Sequence, residues 1–105
     1  MSFQVIFSTE AEEDLIRLFD HVLARELSSS TGDLDVAARA IEAIKQACHV
    51  LAHSPFSCRK LGESAFVREL IIPFGAAGYV AMFEIRDSNM VIVGAVRHQR
   101  ESDYH

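Results

Sequence analysis

The feature that most constrains this chain is a change in the spacing of its apolar residues near Pro55. Before this proline, apolar side chains recur every three or four residues, the period of a helix that is buried along one stripe. After it, apolar residues alternate with polar ones or follow one another without a break between short turns, as strands do. This order of patterns predicts an α+β domain.

Two amphipathic helices are predicted in the first half of the chain. The first begins at Thr9, because Thr9 and Glu12 fit a capping box and further acidic residues suit the positive end of the helix dipole. The second begins near Asp33 and ends near Ser54, since a residue that precedes proline disfavours helix. The short polar segment 28–32 between them predicts an antiparallel helical hairpin. The buried stripes are predicted to be Ala11, Leu15, Leu18, Phe19, Val22 and Leu27 in the first helix, and Val36, Ala37, Ala40, Ile41, Ile44, Ala47, Cys48 and Leu51 in the second.

Strands are predicted on both sides of the hairpin. FQVIF gives a short opening strand, and FVRELIIP, YVAMFEIR and MVIVGAVRH give three more, separated by the turns FGAAG and DSN. Connections this short produce an antiparallel meander, so the expected order is β-α-α-β-β-β with both helices on one face of the sheet. The last strand is apolar at nearly every position. We therefore expect it to be central and covered on both faces, with a partner or a second copy covering what the helices leave open.

Length and charge limit the classes of function. The 105 residues predict a single domain, 1–105, and the formal net charge of −5 argues against general nucleic-acid binding, which relies on basic surfaces. Residues 1–52 carry nine acidic and four basic side chains, whereas residues 53–105 carry six of each, so a basic surface is expected only in the second half. No signal peptide or membrane span is predicted, and two cysteines suit a reduced, cytoplasmic protein.

No metal or cofactor site is predicted. His49 and His53 lie four residues apart, as zinc ligands can, but Cys48 belongs to the buried stripe and Cys58 completes no common zinc spacing. The turn FGAAG lacks the lysine and the helix of a phosphate-binding loop, and no serine or cysteine lies in a nucleophile elbow.

One set of polar residues in the second half could carry function. Arginine suits phosphate or carboxylate, histidine transfers protons near neutral pH, and tyrosine can stack on a base or pack on a partner. Arg68 and Arg97 are expected to approach each other across the sheet. The alternative interpretation is a solvated C-terminus in which Arg97 and Arg100 neutralise Glu69 or Glu84. The candidate residues for binding a target or partner are Arg59, Lys60, Arg68, Arg97, His98, Arg100 and Tyr104.

Several segments in this order resemble the RelE/ParE superfamily of type II toxin–antitoxin toxins, and its ParE branch in particular. They are FQVIFSTEAEEDL, VREL, GYVAMFEI and VRHQRESDY, and together they extend over nearly the whole chain. The resemblance implies a cytoplasmic bacterial growth inhibitor of the kind involved in plasmid stabilisation, which a cognate antitoxin wraps and inactivates. RelE-like toxins cut messenger RNA in the ribosomal A site. ParE-like toxins poison DNA gyrase and block replication, with no established hydrolytic site of their own.

Two departures from the nuclease pattern favour the ParE branch. RelE-type nucleases carry a basic residue six positions before a C-terminal tyrosine, a spacing that His98 and Tyr104 keep. They also carry arginines in the turn before the Gly-Tyr pair and directly after it, where this chain has FGAAG and Val80. Those arginines stabilise charge on the phosphate during cleavage, so their loss should cripple a nuclease. The net acidity also disfavours work on a polyanionic ribosome.

The resemblance therefore implies a gyrase-poisoning toxin that binds an antitoxin and has no catalytic site of its own. One alternative is a ribosome-dependent endoribonuclease with His98 as acid or base, Tyr104 as orienting group, and a phosphate clamp. The other is a non-toxic relic that still binds its antitoxin. The clamp of the nuclease alternative would be formed by Arg59, Lys60, Arg68 and Arg97.

Overall fold

The structure is a computed structural model and describes residues 2–101 of the chain. These residues contain a five-stranded sheet. Its strands are β1 (Gln4–Phe7), β2 (Arg59–Lys60), β3 (Val67–Phe74), β4 (Ala77–Ile85) and β5 (Met90–His98). Their order across the sheet is β1-β5-β4-β3-β2; β1 is parallel to β5 and the other neighbours are antiparallel. The predicted meander is confirmed as β3-β4-β5, and so is the α+β class.

Two helices connect β1 to the meander. α1 (Thr9–Leu27) begins at the predicted residue, but its cap is Ser8 and not Thr9: Ser8 Oγ accepts the Ala11 N–H at 3.1 Å. α2 (Asp35–Cys48) is shorter than predicted. The chain continues from its end as a 3₁₀ turn, His49–Ala52, so the helical pattern persists to Ala52 with a tighter geometry.

The predicted buried stripes form the core on one face of the sheet. α1 packs on β5 and α2 packs on β3, and side chains from both helices join one apolar cluster with the strands. The prediction for Leu27 is wrong: its side chain is 63% exposed, because α1 ends there and the chain turns away from the sheet. The largest fully buried side chains include Ile44, Leu51, Ile72, Phe83, Val91, Val93 and Val96.

The other face of the sheet is only partly covered. β5 is central, as predicted, and its helix-side residues Val91 and Val93 are fully buried. On the opposite face, Ile92 is half-buried and Ile71 of β3 is 42% exposed. Within residues 2–101 both helices lie on the same face, so the second cover expected for β5 is not supplied by the described part of the chain.

Candidate functional site

Among residues 2–101, no strand lies beside the end of β5 on the side of α1. β1 ends at Phe7, which pairs with Val93, so the backbone groups of β5 beyond that point need other partners. α1 supplies them from side chains: the Val96 N–H donates to Oδ2 of the buried Asp14 at 2.8 Å, and Nη2 of Arg17 donates to the Val96 carbonyl at 3.5 Å. The helix thus takes the place of a sixth strand along this part of the edge.

A tight turn follows β5, formed by residues 98–101 and called here the strand-end turn. The Glu101 N–H donates to the His98 carbonyl at 3.0 Å, and Glu101 Oε1 accepts both the His98 N–H at 3.0 Å and Arg17 Nη1 at 3.2 Å. Nη1 of Arg97 donates to the carbonyls of His98 at 3.2 Å, Gln99 at 3.4 Å and Glu101 at 2.6 Å. The Arg97 guanidinium therefore binds the backbone of the turn.

His98 lies at the start of this turn with its ring edge against Tyr79, the ring centroids 5.6 Å apart. Its Nδ1 accepts the Arg100 N–H at 3.1 Å. Burial lowers the pKa of His98, and Arg100, His21 and Arg25 lower it further, although Glu101 opposes them. A neutral imidazole whose Nδ1 is an acceptor carries its proton on Nε2, so this ring offers a hydrogen-bond donor to a ligand and not a general base.

Three basic residues of α1 that sequence reasoning missed lie beside the strand-end turn. Arg17 contacts the turn directly, and His21 and Arg25 are close enough to lower the pKa of His98. Because residues 1–52 carry more acidic than basic side chains, the sequence predicted a basic surface only in the second half of the chain. Their spacing was the available signal, because positions 17, 21 and 25 are four residues apart and share one face of a helix.

Arg68 lies at the other end of the sheet and holds a loop. Its Nε donates to the Ala65 carbonyl at 2.8 Å, and its Nη1 donates to the carbonyls of Phe56 at 3.1 Å and Cys58 at 2.7 Å. The guanidinium carbon also lies 5.2 Å from the centroid of the Phe56 ring. We call residues 56–69 the β3 corner. Arg68 fastens the loop of this corner to β3, and its guanidinium is engaged with the protein's own backbone.

The other two basic candidates of the β3 corner lie on the short strand β2. Arg59 forms an ion pair with the buried carboxylate of Glu69, its cross-strand partner. Lys60 is exposed, and within residues 2–101 its side chain has no hydrogen bond or ion pair. Arg59 therefore compensates a buried charge, whereas Lys60 remains open to a partner.

The expectation that Arg68 and Arg97 approach each other is wrong. Arg68 lies opposite Phe83, whereas Arg97 lies opposite Val80, which in turn lies opposite Ile71. The two arginines are thus separated by two strand spacings and three positions along the sheet, on opposite faces, because residues three apart in a strand alternate in direction.

The two carboxylates named in the solvated-terminus interpretation each have an ion pair with another arginine. Glu84 pairs with Arg86 at 2.9 Å, and Glu69 pairs with Arg59. Tyr104 lies outside the described residues.

The cysteines lie in and beside the core. Cys48 is fully buried, as its place in the stripe predicted, and burial raises the pKa of its thiol to about 12. Burial also raises the pKa of Cys58, so neither thiol is activated as a nucleophile. His49 and His53 are exposed, and among residues 2–101 no three His, Cys, Asp or Glu side chains are grouped as metal ligands would be.

An apolar groove of about 780 Å³ runs between β1 and the two helices. β1 is an edge strand, and the groove beside it includes the exposed side chains of Ile6 and Ile16, the latter 63% exposed. Glu12 and Lys45 contribute charge to its lining. Among residues 2–101, no helix is long and apolar enough to cross a membrane.

The strand, helical hairpin and meander define a toxin fold of the RelE/ParE superfamily. More particularly, the chain belongs to the ParE toxin family of type II toxin–antitoxin systems, parDE, whose family profile matches residues 5–103. The resemblance read from the sequence is thereby confirmed, including the ParE branch, and the protein is a type II toxin–antitoxin toxin.

A solved structure described as the chromosomal ParDE TA system from P. aeruginosa is similar in fold. The superposition has a TM-score of 0.71 and covers 92% of this chain and 96% of that chain, at 16% sequence identity. A comparison with curated protein sequences finds no significant match.

Proposed function

We propose that this toxin inhibits growth by poisoning DNA gyrase and blocking replication, and that a cognate antitoxin neutralises it. The observation that carries the proposal is how the candidate phosphate-binding arginines are engaged. Arg68 and Arg97 bind backbone carbonyls at opposite ends of the sheet, so they do not form a shared clamp around His98. A phosphoryl-transfer site needs such cations converged on one phosphate.

The state of His98 supports the same choice. Its lowered pKa keeps the ring neutral at physiological pH, and its Nδ1 is occupied by the Arg100 N–H. A general base needs an open acceptor nitrogen within reach of the substrate. His98 is better suited to donate a hydrogen bond from Nε2 to an acceptor on a protein target.

Of the basic candidates, we propose Lys60, His98 and Arg100 as contacts to a target, because Lys60 and Arg100 are exposed and His98 is partly exposed at the two ends of the sheet. Arg59, Arg68 and Arg97 have structural partners and act as supports. Tyr104, the remaining candidate, lies three residues after the strand-end turn in sequence, and we propose it as a further contact to the target.

For the antitoxin we propose two docking areas. One is the apolar groove between β1, α1 and α2, where Ile16 is largely exposed. The other is the open face of the sheet around Ile71 and Ile92, with a shallow groove of about 450 Å³ nearby. Exposed apolar areas of this kind mark protein-binding surfaces, and an antitoxin segment that crossed both would supply the second cover that β5 needs.

The target is tested by adding purified toxin to gyrase, ATP and supercoiled plasmid and measuring trapped DNA breaks. We expect breaks that increase with toxin concentration and disappear when the toxin is added as its antitoxin complex. In cells, induction should raise the DNA-damage response before messenger RNA declines. Prompt loss of messenger RNA with replication intact would establish the nuclease alternative instead, and harmless expression without antitoxin would establish the relic.

His98→Ala separates the two modes of toxicity. A nuclease that uses His98 as acid or base should lose most toxicity, because general acid–base catalysis contributes about 10²–10⁴-fold. A binding residue should lose only part. Arg39→Ala serves as the comparison, since it removes an exposed cation that is not among the candidate residues.

A further inference from the structure

Arg17 connects the helix to two parts of the chain at the end of β5. One guanidinium nitrogen, Nη2, donates to the carbonyl of Val96 within the strand, and the other, Nη1, donates to Glu101 after the turn. Asp14 lies 3.9 Å from Nη2 and accepts the Val96 N–H from the same turn of α1. A planar fork with two donors suits this double contact, which a lysine could not make.

Glu101 closes the connection from the other side. Its Oε1 accepts the N–H of His98 and the guanidinium of Arg17, while its own N–H donates to the His98 carbonyl. Burial would raise the pKa of Glu101, but the hydrogen bonds from the His98 N–H and Arg17 outweigh it, so the pKa lies below its ordinary value. The carboxylate is therefore ionised at neutral pH, as an ion pair with Arg17 requires.

We propose that Arg17 and Glu101 form a clasp that positions the strand-end turn, and with it His98 and Arg100, for contact with the target. Arg17 is a positioning residue in this assignment and does not itself contact the target. The proposal rests on the proposed function, since it assumes that the toxin acts through this end of the sheet.

The clasp matters more for geometry than for stability. The Arg17 side chain is 50% exposed and that of Glu101 36% exposed, and ion pairs at such exposure contribute little to folding. The start of the turn is held to β4 on one side by the pairing of His98 with Tyr79 and by the Gln99 N–H, which donates to the Gly78 carbonyl. On the side of α1, the described residues supply no strand, so the position of the turn there depends on the contacts with the helix. A target that binds His98 and Arg100 would have to order a released turn at its own cost, which weakens binding.

The test uses Arg17→Gln and Glu101→Gln in the full chain. Glu101→Gln keeps an oxygen acceptor for the His98 N–H but loses the charge that attracts Arg17. Arg39→Gln is the matched control, because Arg39 forms an ion pair of similar exposure with Asp33 at the start of α2. Arg17→Lys keeps the charge without the fork and should restore part of the effect.

Amide hydrogen exchange at His98 reports the clasp directly, because that N–H is bonded to Glu101. Both glutamine variants should exchange about two- to fivefold faster at His98, the range expected for losing an exposed ion pair. Val91, near the start of β5, should not change. The toxin concentration for half-maximal trapping of gyrase on DNA should rise by up to about two- to fivefold, because the loss of affinity cannot exceed the shift in the equilibrium that releases the turn. Antitoxin affinity and the thermal midpoint should stay at the level of Arg39→Gln.

Two outcomes would overturn the proposal: unchanged exchange at His98 in both glutamine variants, or faster exchange with full potency against gyrase. Equal losses of potency and of antitoxin affinity would point to general damage and would also overturn it. If the wild-type protein does not trap gyrase at all, the proposed function fails; the exchange data then decide the clasp alone, and its role in target contact is refuted.

Discussion

The two ends of the sheet use arginine in the same way but depend on different parts of the chain. At the β3 corner, Arg68 binds carbonyls that precede it by 3 to 12 residues, so the corner is fastened by local contacts. At the strand-end turn, Arg97 binds carbonyls 1 to 4 residues ahead, but Asp14 and Arg17 reach the same region from 79 to 84 residues away.

Because of this difference, we expect the β3 corner to contribute mainly to stability and the strand-end turn to be able to change its orientation. The β3 corner encloses a buried carboxylate, Glu69, and fixes the loop after α2, so a change there should affect folding. The strand-end turn is attached to α1 by exposed groups and one buried hydrogen bond, so most changes there should affect orientation. We therefore expect losses of stability to fall from the first end to the second.

The largest effect is expected for Arg68→Ala. The substitution leaves the carbonyls of Phe56, Cys58 and Ala65 without this donor and removes the cation–π contact, so the free energy of unfolding should fall by about 2–3 kcal/mol. Chemical denaturation measures it. Lys60→Ala, in the adjacent strand, should leave the unfolding midpoint unchanged. An Arg68→Ala protein as stable as wild type would show that the corner is not fastened in this way.

The next effect concerns the buried hydrogen bond from the Val96 N–H to Asp14 near the strand end. Asp14→Ala leaves the buried Val96 N–H without its acceptor, which should cost about 1–3 kcal/mol, the usual penalty for an unsatisfied buried donor. Asp14→Asn can still accept through its amide oxygen and should lose less. If both variants unfold at the same denaturant concentration, the charge of Asp14 matters and not the bond. If neither differs from wild type, α1 does not complete the edge of β5.

Much of the fold was predictable because the periodicity of the chain is clean. The change of period at Pro55, the helical stripes and the turn residues fixed the α+β class and the meander. Leu27 and the cap at Ser8 were misplaced because the end of a helix depends on where the neighbouring chain leaves it, which a local pattern does not report. The parallel pairing of β1 with β5 depends on how the helical hairpin crosses the sheet, so it too needed the structure.

The candidate site was harder to predict, since its contacts join distant residues. Arg68 and Arg97 looked like one cluster because strand order alone does not give register. Arg17 was missed because a single basic residue in an acidic helix carries no signal until the helix is placed against β5. The spacing of Arg17, His21 and Arg25 indicated that they share one face of α1. It did not indicate which part of the sheet that face would contact.

A smaller effect is expected when His98 is titrated. The ordinary pKa of histidine is 6.5, and burial, followed by the charge of Arg100, lowers that of His98 in the folded protein. The unfolded state therefore binds more protons between the two values. Stability is fully present above pH 6.5 and declines as pH falls through the lowered pKa. Thermal unfolding from pH 7.5 to 5 should show a steeper decline for wild type than for His98→Gln. Equal slopes would mean that His98 titrates alike in both states.

The smallest effect is expected for Arg100→Ala, and it sharpens the contrast between the two ends most directly. The side chain of Arg100 is exposed, and the bond to Nδ1 of His98 comes from its backbone N–H, which alanine keeps. The unfolding midpoint should therefore not move. Because the Arg100 charge is the second largest cause of the lowered pKa of His98, its removal should raise that pKa part of the way towards 6.5, with the contribution of burial remaining. An NMR titration of the ring measures the shift, and Arg86→Ala, whose guanidinium pairs with Glu84, is the control that should leave it unchanged. A His98 pKa that does not respond to Arg100→Ala would mean that the turn directs the two side chains apart, and Arg100 would then lose its place beside His98 in the proposed target contact.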